Sequence, residues 1–194
     1  MSSDFAPILR AADATFAREG ATLVAPFSLR VVPGERACLE APDARVASLR
    51  ARMLAGIVKV TSGTLSIGEF DPRIQPVQAK RLIGFVSAAL APGDGECPLD
   101  RATIEAHADL WDVDRALARA AAADVTVRLG LGGAYARALA LTLIRPVALL
   151  VLDRPPPELE AIVSERLGLR CAVVSSRVTA PATLRTPFLK VSVA

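Results

Sequence analysis

The sequence predicts an α/β fold, with a mostly parallel sheet flanked by helices and an antiparallel sheet formed by the N-terminal segment. Apolar and polar residues alternate over residues 27–31, which is typical of a half-exposed antiparallel strand. A continuous apolar run over residues 147–152 ends in Asp153 and is typical of a central parallel strand. Helix-forming segments separate the later strands, which is the order expected of a parallel sheet.

The first part of the chain is predicted to contain most of the strands. We expect strands over residues 8–18, 21–24, 27–32, 36–39, 64–67 and 82–86. A helix is expected within residues 40–57, a charged segment at 78–81 and a loop at 91–98. Glu19 and Gly20 predict a turn between the first strands, and Pro33 and Gly34 predict another. The helix is indicated by apolar side chains that recur at helical spacing between Val46 and the end of the segment.

The second part of the chain is predicted to be mainly helical. Residues 99–123 are strongly helix-forming, and Asp100 is in the position of an N-cap. A second helix over residues 134–143 is ended by Pro146. After the buried strand, we expect an extended turn at 155–157, a short helix at 158–167, a strand at 171–174 and an edge strand from residue 179.

Composition excludes several classes of function. The chain has 194 residues and is 52% hydrophobic, which is enough for the core of one domain. The aromatic fraction of 4% argues against a stacking platform for single-stranded nucleic acid. The net charge of +3 is not concentrated in any basic run, so no nucleic-acid partner is expected.

Cysteine and histidine usage indicates a reducing compartment and no metal site. Cys38, Cys97 and Cys171 show no paired spacing, and His107 is the single histidine. No secretory signal and no apolar run long enough to span a bilayer is present, so we expect no direct membrane span and a cytoplasmic protein.

Residues 41–48 have the spacing of the eight-residue phosphate-binding loop G-x-x-x-x-G-K-[ST] and lie between a predicted strand and a predicted helix. Ala41 and Val46 stand in place of its two glycines, and Ala47 stands in place of its lysine. Only Ser48 matches. Val46 is β-branched and resists positive φ, so we expect a loop of a different shape.

Several segments, in order, resemble the nucleotide-binding subunit of ATP-binding cassette (ABC) transporters. These are 32–35 before the loop, 54–57 after it, the strand at 62–68, the Q-loop lead-in at 83–86, the signature region at 132–146 and the Walker B strand at 147–155. The resemblance implies a P-loop NTPase-like fold of the ABC type, as a single ABC ATPase-like domain over residues 1–194. The helical insertion, at about 89–133, is short for that family.

The family's functional residues do not carry over. The resemblance assigns these vestigial nucleotide-site positions: Ala41, Ala44, Val46, Ala47, Ser48, Ala88, Leu131, Gly132, Gly133, Asp153, Arg154 and Ser176. Ala88 stands for the Q-loop glutamine, Leu131 for the signature serine, Arg154 for the catalytic glutamate and Ser176 for the switch histidine. In the family, residues at the positions of Ser48 and Asp153 hold magnesium. No catalytic residue is expected here.

Some of these positions have plainer interpretations. Ser48 is more simply a serine early in a helix, and Asp153 could cap the following turn. Arg154 is interpreted as a surface or interface charge. Phe16, about where the family stacks adenine on an aromatic ring, is interpreted as a core residue. Arg45 could reach a phosphate in place of the lost lysine.

The first hypothesis is therefore a pseudo-ATPase: a catalytically inactive ABC-type subunit with a structural or regulatory role in a transporter-like or membrane-associated complex. Its partner would be an ABC-type ATPase, a membrane permease subunit or a second copy, which could hold it at the inner face of a membrane. No cofactor is expected. The alternative is a degenerate half of an asymmetric ABC ATPase, which helps an active partner to bind ATP and magnesium. A third interpretation is an unrelated α/β binding domain with a flavodoxin-like sheet and no antiparallel N-terminal sheet.

Overall fold

The computed structural model describes residues 6–87, 99–129, 133–165 and 171–179. The chain divides into two compact units. Among the described residues, unit 1 comprises 6–85, Ala148–Arg154 and 171–179, and unit 2 comprises 86–87, 99–129, 133–147 and 155–165. The interpretation of the chain as a single ABC ATPase-like domain remains a prediction.

Seven strands and six helices are found in the described residues. In chain order they are β1 (Leu9–Arg18), β2 (Ala21–Val31), β3 (Arg36–Ala41), α1 (Ala44–Leu54), β4 (Ser62–Ile67), α2 (Pro76–Leu82), β5 (Ile83–Val86), α3 (Arg101–Leu110), α4 (Arg115–Leu129), α5 (Ala134–Thr142), β6 (Leu149–Asp153), α6 (Pro157–Glu165) and β7 (Ala172–Val178). Among the described residues, no helix is both long and apolar enough to cross a membrane.

Unit 1 contains an antiparallel sheet with the strand order β2-β1-β4. The two strands expected over residues 21–24 and 27–32 are one continuous strand, β2. Pro26 lies inside this strand, and it is tolerated because β2 is at the edge of the sheet. The N-terminal antiparallel sheet is thus confirmed, and it contradicts the flavodoxin-like alternative.

The second sheet of unit 1 has the order β3-β7-β6-β5. Strand β7 pairs in parallel with both β3 and β6, which confirms the mostly parallel sheet. In the register, Ser176 on β7 lies beside Leu39 on β3 and Asp153 on β6. Helix α1 packs against β3, β6 and β7. The first turn of that helix therefore lies close to the end of β6.

A bulge in β1 requires a glycine on the neighbouring strand. Asp13 has φ of 48° and interrupts the pairing of β1 with β4 between Ala12 and Thr15. Gly63 on β4 has φ of 77°, and a Cβ atom there would lie 2.2 Å from the Asp13 carbonyl oxygen. No residue with a side chain fits this approach without moving the backbone.

Unit 2 is built around helices α3, α4 and α5. The expected N-cap is confirmed, because the Asp100 side chain accepts a hydrogen bond of 2.7 Å from the Thr103 amide. The single long helix expected over residues 99–123 is wrong. The chain turns after Leu110, and Asp114 starts α4 by accepting hydrogen bonds of 2.9 Å from the amides of residues 116 and 117. Ile104, Ala108, Ala118, Ala122, Leu141 and Ile144 form a small core there.

Other boundaries also differ from the sequence prediction. The charged segment at 78–81 belongs to a short helix, α2, which begins at Pro76, a residue favoured in the first turn. Helix α1 is shorter than the predicted segment and ends at Leu54, and Ile57 lies beyond it with 52% of its surface exposed. The edge strand expected from residue 179 and the loop at 91–98 lie outside the described residues.

Candidate functional site

The candidate site lies in unit 1, where the end of β3, the start of α1, the end of β6 and the middle of β7 come together. It contains the vestigial positions that the resemblance assigned to residues 41–48, together with Asp153, Arg154 and Ser176. Ala41 and Ala47 are buried, as are Asp153 and Ser176. Ser48 and Arg154 are half-buried. Helix α1 packs against β6 and β7 and brings Ser48 to Asp153.

The predicted loop at 41–48 is almost entirely regular structure. Ala41 is the last residue of β3, and α1 already begins at Ala44, so that Val46, Ala47 and Ser48 are helical. All eight residues are described, and none has positive φ. A phosphate-binding loop needs glycine-like conformations to direct its N–H groups at a phosphate, and this segment adopts none.

The N-terminus of α1 is capped by a carboxylate of the chain itself. The Asp43 side chain accepts a hydrogen bond of 2.8 Å from the Val46 amide, and the Asp43 carbonyl accepts one of 3.0 Å from the Ala47 amide. A helix N-terminus attracts anions, and here the Asp43 carboxylate takes that role. Asp43 was not predicted as a cap, although an aspartate immediately before a helix is an ordinary N-cap signal.

The Asp153 carboxylate is fully buried and contacts the side chains of Ser48 and Arg154. The Ser48 hydroxyl donates a hydrogen bond of 2.9 Å to Asp153 Oδ1. The Arg154 Nε atom lies 3.2 Å from Ser48 Oγ and 3.4 Å from Asp153 Oδ1. The guanidinium group therefore faces the serine and the aspartate together, and its positive charge offsets that of the buried carboxylate.

The interpretation of Arg154 as a surface or interface charge describes only part of its surroundings. Its side chain is 35% exposed and folds back onto the site. The backbone explains the direction, because Arg154 has φ of 49°, and its amide donates hydrogen bonds to the Ser176 carbonyl at 3.0 Å and the Ser176 hydroxyl at 3.3 Å. A left-handed conformation costs a non-glycine residue about 1–2 kcal/mol. Ser176 thus fixes the Arg154 backbone.

A cavity of about 500 Å³ lies beside this cluster, within unit 1. One face of α1 forms part of its wall through Arg45, Ser48, Leu49 and Arg52, which are spaced i, i+3, i+4 and i+7. Phe16 also lines the cavity while packing against the core of unit 1, so the interpretation of Phe16 as a core residue is only part of its role.

The α1 arginines differ in their surroundings. The Arg50 guanidinium lies 5.5 Å from the centre of the Phe27 ring and donates a hydrogen bond of 2.7 Å to the Glu40 carbonyl. Burial lowers the pKa of Arg50 from its usual value, although the group stays charged at neutral pH. Arg45 is exposed and Arg52 is half-buried, and neither pairs with an acidic side chain in the described part of the chain.

The remaining assigned positions are Ala44, Ala88, Leu131, Gly132 and Gly133. Ala88, Leu131 and Gly132 lie outside the described residues. Gly133 belongs to unit 2, where it is exposed and precedes α5 with φ of 107°. Ala44 begins α1 and lines the cavity.

The charges of the cluster disfavour a divalent cation beside Ser48 and Asp153. The Arg154 guanidinium already lies against both side chains. A cation held there would lie against that positive charge. The position of the phosphate-binding lysine is occupied by Ala47, and the helix N-terminus is capped by Asp43.

The fold is that of the ATP-binding subunits of ABC transporters. A structure described as cbiO1 from Clostridium perfringens, part of the ABC transporter complex cbiONQ, matches with a TM-score of 0.70 at 16% identity, covering 89% of this chain and 79% of that one. An ATP-binding subunit of an ABC transporter matches with a TM-score of 0.68 at 14% identity, covering 88% of this chain and 79% of that one. No family model and no curated protein matches the sequence.

Proposed function

We propose that this chain is a catalytically inactive, ABC-type ATPase-like subunit with a structural or regulatory role in a transporter-like or membrane-associated complex. One observation carries the proposal: the Arg154 guanidinium lies against the Ser48–Asp153 pair. In a working site of this fold the same pair would hold magnesium. Here the counter-charge is covalently part of the chain, so it cannot leave with a product.

Two further features support the proposal. Asp43 puts a negative charge at the N-terminus of α1, where a phosphate would have to bind. Arg154 also takes the position of the catalytic glutamate, so that the residue directly after β6 cannot act as a general base. Losing a single positioned electrostatic group commonly lowers a rate by ~10²–10³, and several are replaced here.

The proposed partner is an ABC-type ATPase, a membrane permease subunit or a second copy of this chain. The structural neighbours support it, since one of them is part of an ABC transporter complex. In this proposal the protein works in the cytoplasm and reaches the membrane only through that partner.

The test is ATP turnover by the purified full chain with magnesium, beside Asp153→Ala and Arg154→Ala variants. We expect all three proteins to show the same background rate. Turnover by the native chain that disappears in Asp153→Ala would refute the proposal. ATP turnover that appears only when an ATPase subunit is added, and that the Gly133→Trp substitution abolishes, would support the alternative instead. In that alternative this chain is the degenerate half of an asymmetric ABC ATPase.

A manganese-binding measurement by electron paramagnetic resonance addresses the Arg154 contact directly. We expect no manganese binding by the native chain in the presence of ATP. Binding that is abolished by Ser48→Ala would show that the arginine moves aside, and the proposal would fail.

A further inference from the structure

The outer face of the antiparallel sheet brings together side chains that are far apart in the sequence. In the register, Arg10 on β1 lies directly opposite Arg30 on β2 and, on its other side, directly opposite Ser66 on β4. Side chains of directly opposite residues point to the same face of a sheet. Arg30, Arg10 and Ser66 therefore form one row across three strands, which we call the arginine row.

The arginine row faces away from the core. Arg10 and Arg30 are exposed, and Ser66 is half-buried. The residues that flank the two arginines along their strands are all buried: Leu9, Ala11, Leu29 and Val31. Because successive side chains of a strand point to opposite faces, the core covers one face of the sheet and the two guanidinium groups lie on the other.

The two arginines place like charges side by side. Directly opposite residues of an antiparallel pair have Cα atoms about 4.5–5.5 Å apart, and like charges in such a pair are destabilising. The Arg10 side chain makes no hydrogen bond or ion pair among the residues that the structure describes. The Asp13 carboxylate, farther along β1, accepts a hydrogen bond of 3.3 Å from the Ser28 hydroxyl. An anion over the row would be attracted by both arginines and would reduce their repulsion.

The open surface indicates a protein segment rather than a small free ion. The arginine row lies on the face of a sheet, and the cavity beside α1 is lined by other residues. A single exposed ion pair contributes little, because water and salt screen it. Several carboxylates on one segment would form several charge-assisted hydrogen bonds at once, and the planar guanidinium group matches a carboxylate with two parallel bonds.

We propose that the arginine row docks an acidic segment of a partner protein, whose carboxylates accept hydrogen bonds from Arg10 and Arg30, with the Ser66 hydroxyl as a further donor. That this partner is the other subunit of a complex rests on the proposed function. Charged surfaces of this kind select the partner and accelerate its association more than they add affinity. Salt should therefore weaken the interaction.

The experiment is titration of a dye-labelled octaglutamate peptide with the purified full chain at low salt, followed by fluorescence anisotropy. Arg10→Gln combined with Arg30→Gln should raise the Kd at least about fivefold. Arg45→Gln combined with Arg52→Gln on α1 is the matched control, because it removes the same charge from another surface of unit 1. This control should change the Kd less than about twofold, and an octaglutamine peptide should not bind.

A melting experiment tests the repulsion without any ligand. Arg10→Gln should raise the melting temperature by about 1–3 °C, since a like-charge pair is removed. Arg18→Gln is the matched control, because Arg18 is an exposed arginine on the same strand that pairs with Glu19 at 3.1 Å. That substitution should not raise the melting temperature. Octaglutamate should stabilise the native chain more than the Arg10→Gln, Arg30→Gln protein.

Equal octaglutamate affinity in the native chain and the Arg10→Gln, Arg30→Gln protein would overturn the inference. Equal losses in that protein and in the α1 control would do the same, because binding would then follow net charge alone. A lower melting temperature for Arg10→Gln would contradict the repulsion. Tighter binding to phosphatidylglycerol vesicles than to octaglutamate, lost with the same two arginines, would identify a lipid surface instead of an acidic protein.

These results are separate from ATP turnover. Turnover by the native chain refutes the proposed inactive subunit and leaves the binding of octaglutamate unaffected. Loss of octaglutamate binding refutes only the inference about the arginine row.

Discussion

Replacing Arg154 should lower the stability of unit 1 by an amount that depends on the substitution. Breaking a fully buried ion pair costs about 3–5 kcal/mol, whereas an exposed pair contributes about 0.2–1 kcal/mol. The Asp153–Arg154 pair is intermediate, since the aspartate is 0% exposed and the arginine side chain is 35% exposed. We therefore expect Arg154→Ala to cost about 2 kcal/mol.

The backbone makes the glycine substitution different. Arg154 has φ of 49°, and alanine at this position keeps the strain of a left-handed conformation. Glycine removes that strain, which is worth about 1 kcal/mol. Arg154→Gly should therefore be about 1 kcal/mol more stable than Arg154→Ala while lacking the same ion pair. If the Arg154→Ala protein proves as stable as the Arg154→Gly protein, the left-handed conformation is not a source of strain.

A double-mutant cycle isolates the charge interaction. Asp153→Asn and Arg154→Ala, separately and combined, should show a coupling of about 1–2 kcal/mol. If the effects of the two single substitutions on the free energy of unfolding add up to that of the double variant within about 0.3–0.5 kcal/mol, the arginine does not neutralise the aspartate. Unfolding should be followed by circular dichroism and by hydrogen exchange of β6 amides.

Two further predictions concern packing and a buried thiol. Gly63→Ala should destabilise the protein by about 3 kcal/mol or more, whereas Gly34→Ala should cost about 1 kcal/mol. The two glycines have nearly equal φ, but only at Gly63 would an added Cβ meet a backbone atom. Equal urea unfolding midpoints for the Gly63→Ala and Gly34→Ala proteins would contradict the predicted clash. Burial raises the pKa of Cys171, so its alkylation, followed by mass spectrometry, should be slow at pH 8 and should still accelerate above pH 9. A rate that levels off below pH 9 would refute this.

Most of the fold could be predicted from the sequence because its signals are local. The apolar run before Asp153, the alternation in β2 and the turn at Gly34 each depend on a few neighbouring residues. The errors came where two local signals compete. Residues 99–123 have helix propensity throughout, but Asp112 adopts φ of 55° and Asp114 caps a new helix, which splits the segment.

The candidate site was predicted only in part. The resemblance to the family implied that Ser48 and Asp153 belong to one site, and the Ser48 hydroxyl does donate a hydrogen bond to Asp153. The position of the Arg154 side chain could not be predicted, since it depends on a left-handed backbone that Ser176 holds from another strand. Asp43 could have been identified as an N-cap from its position alone.

The retained serine and aspartate therefore do not argue for a retained metal. A buried carboxylate needs a counter-charge, and a chain without a metal must supply one or lose several kcal/mol of stability. Arg154 is adjacent in sequence, and its left-handed conformation turns the side chain toward Asp153. With that charge in place, Asp153 can remain as a structural residue that bonds Ser48 and joins α1 to β6. In the proposed inactive subunit, these side chains hold the sheet and the helix together where an active one would bind magnesium.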